Sequence, residues 1–139
     1  MIKMIIWDLI GVVWQNEQVN PKAKELIVKF DAQGIKNSTI SNTFPELISK
    51  VGKELGLDPA LSTVEIGLSK RDPEIYKYFL EKTGLDAKEC LMVDDHKKNL
   101  YPAKELGMTT VFVSDSTEQF ENIDYVIPDL DELMKIISH

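Results

Sequence analysis

Three aspartates stand where a sheet would gather them. Asp8 closes the apolar run Met4-Ile5-Ile6-Trp7, and Asp94 and Asp95 close a second run, Cys90-Leu91-Met92-Val93. A carboxylate at the C-terminal lip of a buried strand, with Gly11 turning the chain three residues on, sits where open α/β sheets place ligands and reactive groups. If the two runs are neighbouring parallel strands, three carboxylates meet on one edge, and their mutual repulsion calls for a bound cation. Ser41-Asn42 and then Lys70 fall between them in the chain. Asp8 has the chemistry of a nucleophile, and the Ser41 hydroxyl and Asn42 amide can hold the oxygens of a group in transfer. Lys70 would balance the negative charge gathered there. Asp95, with Asp94 beside it, offers the hard oxygen ligands that suit Mg²⁺. The set fits displacement at a phosphoryl or acyl-like centre.

These residues need elements to hold them. Apolar runs alternate with stretches of helical period, the pattern of βα units feeding a mostly parallel sheet. The pattern predicts strands near Ile2-Trp7, Lys36-Ser41, Thr63-Ile66, Cys90-Asp94, Thr110-Val113 and Tyr125-Ile127. The second is unusually polar for a central strand. Asn20-Pro21 reads as an N-cap and first-turn proline, followed by Ala23, Leu26, Ile27 and Phe30 at helical spacing, with Gly34 closing the helix. Thr43 with Glu46 reads as a capping box for a helix ending at Gly56. Asp72-Pro73 opens another, closed by Gly84, and Asp129 with Glu132 opens the last. Asn99 as an N-cap would put Pro102 in a first turn, where a missing N–H is harmless. A flap is expected over Val13 to Val19.

At 139 residues the chain is expected to form one domain, residues 1–139, with a single core. With 43% hydrophobic and 28% charged residues it is globular in composition. A net charge of -7 and a pI near 4.8 argue against nucleic acid or an anionic membrane as partner. The lone Cys90, inside an apolar run, reads as a core hydrophobe in a reducing compartment, and the cytoplasm is expected. Asp8 interrupts the N-terminal apolar stretch and no small-residue cleavage site follows, so a signal peptide is not expected there. No run reaches the ~18 apolar residues of a membrane span.

In order and spacing the motifs resemble the haloacid dehalogenase-like hydrolase superfamily over nearly the whole chain. The first resembles Ile5-Ile6-Trp7-Asp8-Leu9-Ile10-Gly11-Val12-Val13, and the second Ile40-Ser41-Asn42. The third is similar to Lys70-Arg71-Asp72-Pro73-Glu74-Ile75-Tyr76, and the fourth to Val93-Asp94-Asp95-His96-Lys97-Lys98-Asn99 followed by Ala103 and Gly107-Met108. The resemblance implies a three-layer Rossmann-like α/β fold, and Mg²⁺ held by the Asp8 carboxylate, the Ile10 main-chain carbonyl and Asp95, with Asp94 a ligand or acting through water. It implies Asp8 as covalent nucleophile, with Ser41, Asn42 and Lys70 holding a small phosphorylated anion.

The chain departs from the family pattern at Ile10. Phosphatases of the family carry an aspartate there as general acid, and proton transfer by such a side chain is typically worth ~10²–10⁴-fold. Isoleucine points to a leaving group that needs no proton, to an acid from elsewhere, or to a catalytically impaired binding or regulatory protein. Only 33 positions separate Asp8 from Ser41, and 29 separate Ser41 from Lys70, too few for the family's cap domain. An open site is implied, one that a second subunit of a homo-oligomer could cover. A receiver-like phosphoacceptor domain has similar length and acidic residues, but carries its acidic pair early and its lysine last, the reverse of the order here. Taken alone, Ser41 is a turn or cap residue and Lys70 a solvated charge, and the order of the set gives both weight; His96 reads as an exposed loop histidine and Lys97-Lys98 as a solvated loop surface.

Overall fold

The computed structural model describes residues 1–138. The chain runs β1 (Met4–Trp7), β2 (Trp14–Gln15), β3 (Gln18–Val19), α1 (Pro21–Ala32), β4 (Lys36–Ser41), α2 (Pro45–Leu55), β5 (Ala60–Ser62), α3 (Thr63–Ile66) and α4 (Pro73–Thr83). A 3₁₀ turn at Ala87–Glu89 leads into β6 (Cys90–Asp94), α5 (Lys97–Glu105), β7 (Thr109–Val113), β8 (Tyr125–Ile127) and α6 (Glu132–Ile137). Six strands form one sheet in the order β5-β4-β1-β6-β7-β8, and every neighbouring pair is parallel. Counting only these six in chain order, the sequence across the sheet is 3-2-1-4-5-6, that of doubly wound nucleotide-binding folds. A receiver-like domain has the order 2-1-3-4-5, so that reading is set aside.

Helices cover both faces because the strands are buried on both. Ile5 and Trp7 point to one face and pack with Ala23, Leu26, Ile27 and Phe30 of α1, Ile48 and Val51 of α2, and Leu133 of α6. Met4 and Ile6 point to the other, against Ile75, Tyr76 and Phe79 of α4 and Leu100 and Ala103 of α5. The polar strand β4 sits centrally because its side chains are satisfied. Asn37 Oδ1 accepts from the Trp7 indole N–H at 2.9 Å, Ser38 donates to the Ile5 carbonyl at 3.1 Å, and Thr39 donates to the Trp7 carbonyl at 2.6 Å.

Several elements depart from expectation. Thr63–Ile66 is a one-turn helix, not a strand; the strand is Ala60–Ser62, and the Ser62 hydroxyl caps the turn by accepting from Glu65 N at 3.2 Å. Local capping chemistry overrode the apolar pattern. The Thr43–Glu46 capping box does not form, since Phe44 occupies the N-cap without a side-chain bond and Pro45 opens α2. α5 starts at Lys97 after His96, so Asn99 is its third residue and Pro102 lies inside the helix. Asn99 is drawn from the capping role by a buried acceptor described below. α6 begins at Glu132, with Asp131 rather than Asp129 at its N-cap. The Asn20 cap holds, accepting from Lys22 N at 3.1 Å, as does the Asp72 cap of α4, accepting from Glu74 N at 3.0 Å.

Candidate functional site

Strand period and register alone bring two of the three aspartates together. Met4 pairs with Cys90 and Ile6 with Met92, so side chains two residues further on, at Asp8 and Asp94, leave the same face at adjacent strand ends. The Asp8 N–H donates to the Val93 carbonyl at 2.9 Å, continuing the ladder one step. β1 is the first sheet strand and lies between β4 and β6, so Asp8 emerges where the strand order reverses, the usual ligand crevice of such sheets.

Lys70, 1% exposed, reaches this point from the loop before α4. Its ammonium donates to Asp8 Oδ1 at 2.6 Å and to Asp94 Oδ2 at 2.8 Å. Burial opposes the lysine charge, but the two carboxylates override it and hold its pKa above the ordinary value. Asp94 is completely buried and also accepts from Asn99 Nδ2 at 3.2 Å and from His96 N at 2.9 Å. Asn99 thus holds Asp94. Tyr76 steadies that turn of α5 by donating its hydroxyl to the Asn99 carbonyl at 2.5 Å. Burial, with Asp94 and Asp8 adding to it, raises the Tyr76 pKa and keeps the phenol protonated.

One ammonium cannot neutralise this centre. Asp8, Asp94, Asp95 and His96 each place a ligand atom within 4.8 Å of the others. Burial pushes the Asp8 pKa up to about 8, against the pull of Lys70 and with Asp94 and Asp95 adding to the rise. A carboxylate so disfavoured in its charged form fits a site completed by a cation. The backbone is shaped for it too. Gly11 has φ +92, and a Cβ there would collide with the Asp95 carboxylate, so only glycine lets the loop close on that side chain. The carbonyl of Leu9 accepts from three successive N–H groups, of Val12, Val13 and Trp14, whereas that of Ile10 accepts no main-chain hydrogen bond among the described residues.

Ser41 ends β4, buried, and its hydroxyl has no hydrogen-bond partner among the described residues. An orphaned buried hydroxyl at this edge suits an incoming oxygen acceptor. The neighbouring Asn42 is exposed, and its Oδ1 accepts from the Thr63 hydroxyl at 2.7 Å, which leaves its amide N–H groups free to donate. The loop over Val13 to Val19 is a β2–β3 hairpin whose central residues, Asn16 and Glu17, both have positive φ, as a two-residue turn demands. The Ile10 side chain is 46% exposed, with no polar atom to offer the site. His96 is exposed and sets Nδ1 3.0 Å from Asp95 Oδ1. No cap is inserted between Asp8 and Ser41, where β2, β3, α1 and β4 itself follow one another, or between Ser41 and Lys70, where α2, β5 and α3 do.

Sequence reasoning missed two supporting residues, Thr63 and Tyr76. Thr63 lay in a segment read as a strand. Tyr76 entered only as the last residue of the third motif, and nothing in its spacing showed its hydroxyl's partner.

Fold and site define a doubly wound α/β domain with a lysine-bridged acidic centre at the carboxyl edge of its sheet. A family model described as haloacid dehalogenase-like hydrolase matches residues 2–107. A glyceraldehyde 3-phosphate phosphatase of Methanocaldococcus jannaschii is 32% identical over 128 residues, covering 86% of this chain and 56% of its own length. The crystal structure of a phosphatase of the family from Thermococcus onnurineus superposes with a TM-score of 0.71 at 28% identity, over 86% of this chain and 58% of that one. A core domain from Streptococcus pneumoniae shares the fold at a TM-score of 0.73 and 21% identity, over 99% of this chain and 96% of that one. The chain belongs to the haloacid dehalogenase-like hydrolase family. It spans about half the length, or less, of most of the curated relatives it matches.

Proposed function

We propose that this chain is a capless, Mg²⁺-dependent hydrolase of phosphate monoesters that works through a covalent intermediate on Asp8. The observation that carries this reading is the Asp8 carboxylate at the lip of β1, held through Oδ1 by a buried lysine that also bridges Asp94. Oδ2 of Asp8 is the oxygen left to attack phosphorus. As the new bond forms, the phosphorus bond to the leaving oxygen breaks, and that oxygen carries away the electron pair. Water then attacks the phosphoryl group, the aspartyl oxygen is released, and Asp8 is restored with inorganic phosphate as product. The Ser41 hydroxyl and the Asn42 amide hold the equatorial oxygens, and Lys70 offsets charge at the nucleophile and the group in flight.

The Asp8 and Asp95 carboxylates and the Ile10 carbonyl would hold Mg²⁺, with Asp94 orienting the set through Lys70. When bound, the ion supplies positive charge to the phosphate oxygens. With no acid at Ile10, the leaving oxygen departs without a side-chain proton, so esters of acidic alcohols react best. A small anionic substrate fits a chain of net charge -7 better than nucleic acid or a membrane does, and no described helix is long and apolar enough to cross one. The buried thiol of Cys90, its pKa pushed up to about 12 by burial and the nearby Glu89, suits a reducing cytoplasm. A second copy covering the open edge belongs to the same reading.

Hydrolysis of an aryl phosphate with and without Mg²⁺, beside an Asp8→Asn control, tests it. Metal-dependent turnover that the control lacks supports the proposal, and turnover retained by the control refutes it. The second reading, a binding or regulatory protein that has lost turnover, rests on Ile10 and gains if the wild-type chain is inert.

A further inference from the structure

The acidic centre opens on one side into a cavity of about 490 Å³ with the opposite electrostatic character. Asp95 stands at the junction, and Arg71, His96, Lys97 and Lys98 line the cavity, with Glu118 the other acid on its wall. Its apolar side is Phe112 and Phe120, packed edge to face with centroids 5.8 Å apart. The Lys97 ammonium lies 4.6 Å from the centroid of the Phe120 ring, so this lysine is half-buried and fixed over an aromatic face instead of trailing into solvent.

Helix stability does not explain these cations. Lys97 and Lys98 are the first two residues of α5, whose first turn has no acid, and cations at that end oppose the helix dipole. They make no salt bridge among the described residues, and neither does Arg71, although the chain carries 23 acidic residues against 16 basic ones. Beyond the Phe120 ring beneath Lys97, these cations have no charged partner among the described residues, and cations set against a helix dipole with no acid to meet them point to a ligand.

Resting on the phosphatase reading, we propose that this cavity is the leaving-group subsite, and that the substrate is a phosphate monoester whose leaving group carries a second anionic group. Asp95 belongs both to the acidic centre and to the cavity wall, so a leaving group that extends past Asp95 from a phosphoryl group on Asp8 enters the space lined by Arg71 and Lys97. The second anion meets those cations, and the carbon skeleton lies on Phe112 and Phe120. The exposed Ile10 contributes nothing polar, so discrimination by charge falls to this wall.

The test compares 4-carboxyphenyl phosphate with its methyl ester under Mg²⁺, in the wild-type chain and in an Arg71→Ala/Lys97→Met variant whose fold is checked by circular dichroism. The ester has the better leaving group, so a preference for the acid cannot come from intrinsic reactivity. We expect kcat/KM for the acid to exceed that for the ester about tenfold, the effect of roughly one well-placed ion pair, and the ratio to fall to within about twofold of unity in the variant. Equal rates in the wild-type chain, or a preference that survives the double substitution, overturn the subsite. If neither compound turns over, the phosphatase reading fails. Calorimetric affinities for the same two compounds then decide the subsite alone, with tighter, variant-sensitive binding of the acid supporting it and equal binding overturning it.

Discussion

Asp8→Asn should stabilise the metal-free protein while abolishing its activity. The Asp8 carboxyl is buried and its pKa is pushed up from 3.8 to about 8, first by burial and then by Asp94 and Asp95. In the unfolded chain the same group titrates near its ordinary value, so at pH 7 folding must return a proton to it. The penalty spans a little over three pH units at ~1.4 kcal/mol each, a ceiling of ~4 kcal/mol. Asparagine never ionises and can still accept from Lys70, whose charge keeps Asp94 as partner. Allowing for a weaker bond to the lysine, we expect a gain of ~1–3 kcal/mol at pH 7, or roughly 3–10 °C in Tm. The raised pKa also fixes the pH dependence. Wild-type stability from this group is present in full below about pH 4, where both states hold the proton, and is lost as pH rises through about 8. The advantage of the variant should therefore vanish near pH 4 and grow towards pH 8. Thermal unfolding of both proteins in EDTA from pH 4 to 9 reads this directly. A variant less stable than wild type at pH 7–8, or a gap that does not depend on pH, refutes the reasoning. Adding Mg²⁺ should raise the wild-type Tm in proportion to the logarithm of its concentration and move the variant little.

Ile10→Asp should raise kcat on an alkyl phosphate by ~10²–10⁴-fold while changing aryl phosphate turnover far less, because only the poorer leaving group needs the proton; equal effects on both would remove Ile10 from the account. Ser41→Ala deletes a buried hydroxyl with no partner, so stability should stay level or rise by up to ~1 kcal/mol while KM rises several-fold; a large loss of stability in denaturant titration would give Ser41 a structural role instead. Gly11→Ala strains a residue at φ +92 and drives a methyl into Asp95, so calorimetry should show weaker Mg²⁺ binding, with ~1–3 kcal/mol lost from folding; unchanged metal affinity would separate Asp95 from the metal.

β1 and β6 were legible because each carries a continuous apolar run that ends in an aspartate, whereas the polar β4 was placed by its position between helices more than by its composition. Period two along Met4, Ile6 and Asp8, and along Cys90, Met92 and Asp94, contains the pairing of the two aspartates once the strands are neighbours. What could not be read was capping that competes with pattern. Thr63-Val64-Glu65-Ile66 alternates as a strand would, but the Ser62 hydroxyl at its start is worth more to a helical turn than the apolar pair is to a ladder. Asn99 looked like a cap because caps are what asparagine does most often beside a loop. A buried carboxylate five residues earlier was a stronger acceptor for its amide, and only the fold shows that the two meet.

Charge balance ties the acidic centre to the cationic wall. Asp8, Asp94 and Asp95 against Lys70 leave two negative charges when all four groups are ionised. A divalent cation held by Asp8, Asp95 and the Ile10 carbonyl would supply two positive charges against these, and in the proposed reaction a phosphate dianion would restore the deficit as negative charge moves towards the leaving oxygen. In the family pattern that the motifs resemble, an aspartate at the place of Ile10 would relieve that charge with a proton. Here the cations at the start of α5 and Arg71 line the cavity that Asp95 also borders, and they make no salt bridge among the described residues. In the proposed subsite, isoleucine in place of an acid and the cations of the cavity belong to one arrangement, in which charge on the departing group would be met by fixed positive charge instead of by a proton. The arrangement requires the turnover of acidic leaving groups to fall with ionic strength more steeply than that of neutral ones, because the cavity is open to solvent and its cations are screened.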